Sequence, residues 1–233
     1  MSEYISIYLD RDDFEQRIGG GLPKRAIAII EGEDGGGKSI ISQRITYGAL
    51  VNNATVCYIS TEMTTLDFIR QMDSLNYPIQ DYLLTDRLLF ISLTNLFGKL
   101  KNKENLILEL MKNKAKKIFE KDIIIIDSLF YPLVNHIKQM DVVKFLNFLQ
   151  KIKERDKVII LTYNPETISK YLVDDLRKTA DIYFKVGISS LAGQLTRYLE
   201  IKRFRNAKQQ YDLLIPFRVE PKLGLIVEIV TIV

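Results

Sequence analysis

The chain has 233 residues, a formal net charge of +4 and an apolar share of 47%. That is enough for one large domain with a proper core, and too mildly basic to demand a nucleic-acid partner. No run of about 18 apolar residues is present, and the opening Met1-Ser2-Glu3-Tyr4 has no basic or apolar leader, so neither a membrane-spanning helix nor a secretory signal is expected. The lone cysteine, Cys57, cannot form an internal disulfide and falls in an apolar run. It predicts a buried structural thiol and, by default, a cytoplasmic protein.

Ala26-Ile27-Ala28-Ile29-Ile30 predicts the first buried strand. It leads into Gly32-Glu33-Asp34-Gly35-Gly36-Gly37-Lys38-Ser39, which fits G-x-x-x-x-G-K-[ST], the Walker A phosphate-binding loop. A helix from Ile40 to Val51 completes the strand–loop–helix setting that the motif requires. Glycines let backbone N–H groups turn inward toward phosphate oxygens, and a helix start adds a positive dipole end. Lys38 then reaches the β- and γ-phosphates, and the Ser39 hydroxyl serves as a Mg²⁺ ligand. Residues 32–39 with Ile40 are the predicted nucleotide-binding segment, with ATP and Mg²⁺ as cofactors.

Next come a strand over Thr55–Ser60, a helix over Thr64–Leu75 and a strand over Arg87–Leu93. In and beside a helix over Lys101–Phe119, Lys99, Lys101, Lys103, Lys112, Lys114, Lys116, Lys117 and Lys121 surround Leu106, Ile107, Leu110 and Ile118. This stretch reads either as a solvated amphipathic face or as a docking surface for an acidic partner or anionic membrane. Ile123–Asp127 is a strand of four isoleucines ending in an acid, suited to burial on both faces. Asp127 is the expected metal-orienting carboxylate. His136, the only histidine, falls in a surface loop, and one histidine with one cysteine makes a zinc site of those ligands implausible. A helix near Met140–Glu154 has Val142, Phe145, Leu146, Leu149 and Ile152 at helical spacing. A strand over Lys157–Thr162 and a helix over Thr167–Lys178 follow.

From Asp181 onward the pattern is strands and turns: Ile182–Val186, Arg197–Arg205, Tyr211–Val219 and Leu225–Ile232. Gly187–Gln194 is expected to be a short uncharged loop after the last parallel strand. The whole predicts an α/β fold: a mostly parallel central sheet, helices on both faces and an antiparallel C-terminal extension, as one domain over residues 1–233.

Hydrolysis needs a group that orients or deprotonates water. Glu62, just past the carboxyl end of the Thr55–Ser60 strand, is the expected catalytic residue, since ligands lie at those ends in open α/β sheets. It also reads as an ordinary acid at a helix start. Thr162 and Asn164 end their strand, where they contact phosphate or water or simply form the turn. Arg203 and Arg205 alternate onto one face, where two guanidiniums can clamp a phosphate or merely face solvent.

These elements together resemble the RecA-like ATPases and, within them, the KaiC-like branch. Ile18-Gly19-Gly20-Gly21-Leu22-Pro23 is similar to the G-G-G-[LI]-P lead-in of that branch, and Ser60-Thr61-Glu62-Met63 to its catalytic-glutamate segment. Many clock-type members carry two adjacent glutamates there. This chain has Thr61-Glu62, which implies weak or absent hydrolysis. Lys202-Arg203-Phe204-Arg205 resembles the K-x-R element that reaches a neighbouring subunit's nucleotide, with Arg203 at the lysine position. The loop Glu33-Asp34-Gly35-Gly36-Gly37-Lys38-Ser39 and the single glutamate most resemble the archaeal flagellar (archaellum) accessory ATPases. That resemblance implies a cytoplasmic, membrane-peripheral ATP-binding subunit, a homo-oligomer in a hexameric ring, and contacts with the assembly/secretion ATPase and a membrane-anchored ring scaffold. Nucleotide occupancy rather than fast turnover would then control assembly. Two alternatives remain open. One is a RecA/RadA-like recombination ATPase, which the uncharged 187–194 segment disfavours. The other is a single-domain KaiC-like autokinase.

Overall fold

A computed structural model of the chain describes residues 2–94, 117–128, 139–191 and 194–228. The sequence-predicted lysine-rich helix (apart from its last residues), His136 and the end of the last strand lie outside them.

Near the N-terminus, β1 (Tyr4–Ile5) pairs antiparallel with β2 (Leu22–Pro23), with α1 (Phe14–Ile18) between them. Gly19, Gly20 and Gly21 leave α1 with φ of 119°, 85° and 111°. Three left-handed residues in succession are open only to glycine, which accounts for the G-G-G lead-in.

The described residues build a nine-stranded sheet. Its order is β11 (Gly224–Val227), β10 (Leu214–Glu220), β9 (Gln194–Phe204), β8 (Ile182–Leu191), β3 (Ala26–Glu31), β7 (Val158–Tyr163), β6 (Ile123–Asp127), β4 (Val56–Ser60) and β5 (Leu88–Ser92). The strands from β3 to β5 are parallel, β8 joins β3 in parallel, and β9, β10 and β11 run antiparallel.

Strand alternation divides the core in two. Ala28, Ile30, Tyr58, Ile125 and Ile160 face α2 (Lys38–Val51) and α3 (Thr65–Ser74). Ile29, Ile59, Ile126 and Leu161 face α5 (Gln139–Lys153) and α6 (Lys170–Thr179), while α4 (Gln80–Leu84) leads into β5. Branched residues at every position of a strand therefore follow from helices on both faces. Val142, Phe145, Leu146, Leu149 and Ile152 of α5 are all buried, as their spacing predicts. Cys57 is buried too, and that burial pushes its thiol up to about 12, so it is an inert core group.

Two expectations need correction. The helix expected from Thr167 begins at Lys170, because Ser169 caps it by accepting the Leu172 N–H. Gly187–Leu191 and Gln194 are not a loop: β8 runs on to Leu191 and pairs antiparallel with β9, with Leu191 opposite Gln194. Gly187 lies opposite Tyr198, and a Cβ there would come within 2.5 Å of the Tyr198 hydroxyl. The glycine marks a strand position covered by a cross-strand ring, not a break.

Candidate phosphate-binding site

The loop leaves the buried end of β3 and enters α2 through Gly37, whose φ is 106°. A Cβ at Gly37 would lie 2.9 Å from Phe217 Cζ, and one at Gly32 would lie 2.5 Å from both Val186 Cγ2 and the Val186 carbonyl oxygen. Both glycines are therefore required by close approach. The Gly36 N–H is spent on the Glu33 carbonyl at 3.2 Å. Among the described residues, the backbone N–H groups of Gly35, Gly37, Lys38, Ser39 and Ile40 have no protein acceptor. The first turn of α2 contains no acid to neutralise them. Such a cluster at a helix start is an anion cradle.

Lys38 is buried and lies back along its own loop. Its Nζ donates to the Gly32 and Glu33 carbonyls, each at 2.9 Å, with Asp34 Oδ1 at 3.5 Å. Asn164 Nδ2 donates to the same Asp34 oxygen at 3.1 Å.

A cavity of about 730 Å³ opens beside the cradle. Lys38, Ser39, Glu62, Ser128 and Arg197 bring its polar groups. Asp34, Gly35, Gly37 and Ile40 also line it, whereas Gly32, Glu33 and Gly36 face a smaller cavity of about 310 Å³ on the other side of the loop. Asp127 sits behind the wall, 2% exposed. Its Oδ1 accepts from Thr162 Oγ1 at 2.6 Å and its Oδ2 from the Tyr58 hydroxyl at 2.8 Å. Thr162 is thus committed to Asp127, and Asn164 to the loop. Ser128 holds a left-handed φ of 58°, fixed by its N–H to Thr162 Oγ1 at 2.8 Å and by Thr61 Oγ1 to its carbonyl at 2.8 Å.

Glu62 extends into the cavity mouth. Partial burial, and then the charges of Asp127 and Asp34, raise its pKa, while the Ser128 hydroxyl and Lys38 pull it down.

Arg203 and Arg205 share a face, as their spacing predicts, but a bulge at Lys202 sets that face opposite to Leu199 and Ile201. Both lie toward the end of the sheet away from the chain's own phosphate loop. Arg203 donates to the Arg177 and Ala180 carbonyls, at 2.7 and 2.8 Å, and Arg205 pairs with Asp181 at 3.4 Å. The arginine that does reach the cavity is Arg197, whose Nε donates to the Gly35 carbonyl at 3.1 Å. Plain alternation back from Arg203 puts Arg197 on the face of Arg203 and Arg205, whereas the bulge at Lys202 turns it to the opposite face, toward the phosphate loop.

The KaiC ATPase family model matches residues 12–229. The archaeal flagellar ATP-binding protein FlaH of Methanocaldococcus jannaschii is 38% identical over 100% of this chain and 99% of its own. The chain belongs to the FlaH family of KaiC-type ATPases. The FlaH of Methanococcus voltae is also 38% identical, over 97% of this chain and 98% of its own. The crystal structure of the M. jannaschii flagellar accessory protein FlaH matches this FlaH-family fold with a TM-score of 0.91, covering 98% of this chain and 100% of that one. A KaiC-like protein of Pyrococcus horikoshii matches it with a TM-score of 0.75 at 17% identity, over 97% and 99% of the two chains, which shows the shared fold. No helix among the described residues of this family member is long and apolar enough to cross a membrane.

Proposed function

We propose that this chain binds Mg·ATP at the head of β3 and acts as a nucleotide-gated subunit of the archaeal flagellar apparatus, with slow turnover or none. The observation that carries this reading is the convergence of unpartnered loop N–H groups, Lys38 and Glu62 on one cavity, with Asp127 directly behind it. Relatives named as flagellar ATP-binding proteins support the biological setting.

The residues fit the ligand. Within residues 32–39 and Ile40, the free N–H groups of Gly35, Gly37, Lys38, Ser39 and Ile40 cradle the phosphates, while Gly32, Glu33 and Gly36 shape the loop from its other side, and Lys38 swings from its own carbonyls to the terminal phosphates. Ser39 and Asp127 hold the metal side, directly or through water. Bound Mg²⁺ neutralises charge on the terminal phosphate oxygens. Glu62 orients a water at the cavity mouth. Thr61, at the position of a second acid in many relatives of this type, spends its hydroxyl on the backbone of the Asp127 strand end, which supports slow hydrolysis. Their distance from the chain's own loop suits Arg203 and Arg205 to a neighbouring copy's nucleotide in a hexameric ring. ATP then favours assembly only by as much as it binds the assembled state more tightly. On this reading the chain is one cytoplasmic domain held at the membrane by the assembly ATPase and a ring scaffold.

The test pairs Lys38→Ala with the parent in equilibrium ATP binding with Mg²⁺. Loss of one charge-assisted contact of about 2 kcal/mol weakens affinity roughly 30-fold. Equal affinity in the two proteins overturns the reading. Subunit mass with and without ATP reads the switch, and an assembly state indifferent to nucleotide removes it.

A further inference from the structure

Tyr58 lies in the middle of β4, wholly buried, its ring 4.8 Å from Phe68 and 6.0 Å from Phe90. A phenylalanine would serve that stack equally well. A buried hydroxyl is costly unless it is hydrogen-bonded. Among the described residues the partner of this one is Asp127 Oδ2, at 2.8 Å. β4 and β6 are neighbours, with Ser60 opposite Asp127, so the phenol leans along its strand toward the strand ends to reach that carboxylate. Thr162 of β7 takes the other oxygen from the opposite side, and its own lone pair accepts the Ser128 N–H. The carboxylate is thus held from both flanks by neutral donors contributed by the two strands beside it.

We propose that Tyr58 is a positioning residue for the metal: with Thr162 it fixes the plane of the Asp127 carboxylate, so that the acid presents its remaining lone pairs toward Ser39 and the phosphate loop. This rests on the reading that the cavity takes Mg·ATP. Neutral donors orient the carboxylate without cancelling its charge, as groups behind a metal ligand typically do. Ring packing and metal orientation are separable, because Tyr58→Phe removes the hydroxyl and keeps the stack.

The experiment measures binding of a fluorescent ATP analogue across a Mg²⁺ titration, and again in EDTA, for the parent, Tyr58→Phe and the pair Thr162→Val and Thr162→Ser. Removing a partner behind a metal ligand typically weakens metal affinity 10- to 100-fold. Tyr58→Phe is expected to raise the half-saturating Mg²⁺ concentration about tenfold and to leave metal-free affinity within about twofold of the parent. Thr162→Val shifts the titration the same way and Thr162→Ser restores it. A parent-like Mg²⁺ titration in folded Tyr58→Phe overturns the inference while leaving the nucleotide site standing. An equal loss with and without metal also overturns it, since that marks a packing role. A parent that binds no nucleotide under either condition overturns the site reading and this inference with it.

Discussion

Two strands of this sheet end in a buried acid, and the two acids are handled in opposite ways. Glu31, at the end of β3, is 1% exposed and meets a full countercharge. Arg177 of α6 grips it with Nε to Oε2 at 2.8 Å and Nη2 to Oε1 at 2.6 Å, and the Tyr163 and Tyr183 hydroxyls donate to it at 2.7 and 3.0 Å. Among the described residues, the carboxylate of Asp127, at the end of β6, receives only neutral hydroxyls. The faces explain the difference. Glu31 points to the α5–α6 side, where an arginine sits within reach. Asp127 points to the α2 side, where the phosphate loop runs into its helix. A buried carboxylate with its charge cancelled is an anchor. One that is oriented but left uncancelled is a place for a cation.

The largest expected effect tests the anchor. Arg177→Ala leaves an uncompensated charge directly beneath the phosphate loop. The loss is about 3 kcal/mol, or roughly 6–12 °C in Tm for a chain of this size, read by thermal denaturation. Its pH dependence has a definite sign. Burial pushes the Glu31 pKa up, but Arg177 and the two tyrosine hydroxyls outweigh this and hold it below the ordinary 4.5. The stabilisation is therefore present above pH 4.5 and lost as pH falls through the lower folded value. The gap between parent and variant should be widest near neutral pH and close in acid. A gap that does not change with pH would break the comparison at Glu31.

Asp127→Asn tests the other acid and should invert the pattern. The substitution removes a buried charge and misplaces one hydrogen bond, so stability changes by about 1 kcal/mol. Mg²⁺-dependent ATP binding is lost while metal-free binding persists. A variant that unfolds as readily as Arg177→Ala would mean that Asp127 is a second anchor and the contrast is false.

This contrast was half legible in the sequence. Four isoleucines ending in Asp127, downstream of a Walker A loop, announce a metal-side acid, because the motif ties chemistry to neighbouring residues. Glu31 sits one position before the loop and carries no such signal, since Tyr163, Tyr183 and Arg177 are 132 to 152 residues away. The β3–β7 and β3–β8 pairings bring the two tyrosines to it, and the packing of α6 against β3 brings Arg177. The same limit explains the 187–194 error. Small residues in isolation read as a loop, and only the facing strand, with Tyr198 over Gly187, makes them part of a strand pair. The parallel strands were readable because burial on both faces leaves a continuous run of branched residues, a local signal of a global position.

The smallest effect sharpens the comparison with a third acid, Glu62, which is neither anchored nor locked. Partial burial and the charges of Asp127 and Asp34 raise its pKa. Folding therefore favours its protonated form, and the ionised side chain is a small burden that grows as pH rises above the ordinary 4.5. Glu62→Gln should raise Tm slightly at neutral pH, by an amount that vanishes near pH 4, where the parent is protonated as well. Any slow ATPase activity of the parent should fall in the same variant while Mg·ATP affinity is kept. The two readouts separate because the first depends on charge among carboxylates and the second on a group able to accept a proton from water. If the variant lowered Tm instead, Glu62 would belong with Glu31 as a structural acid, and the cavity mouth would be left without a residue to orient water.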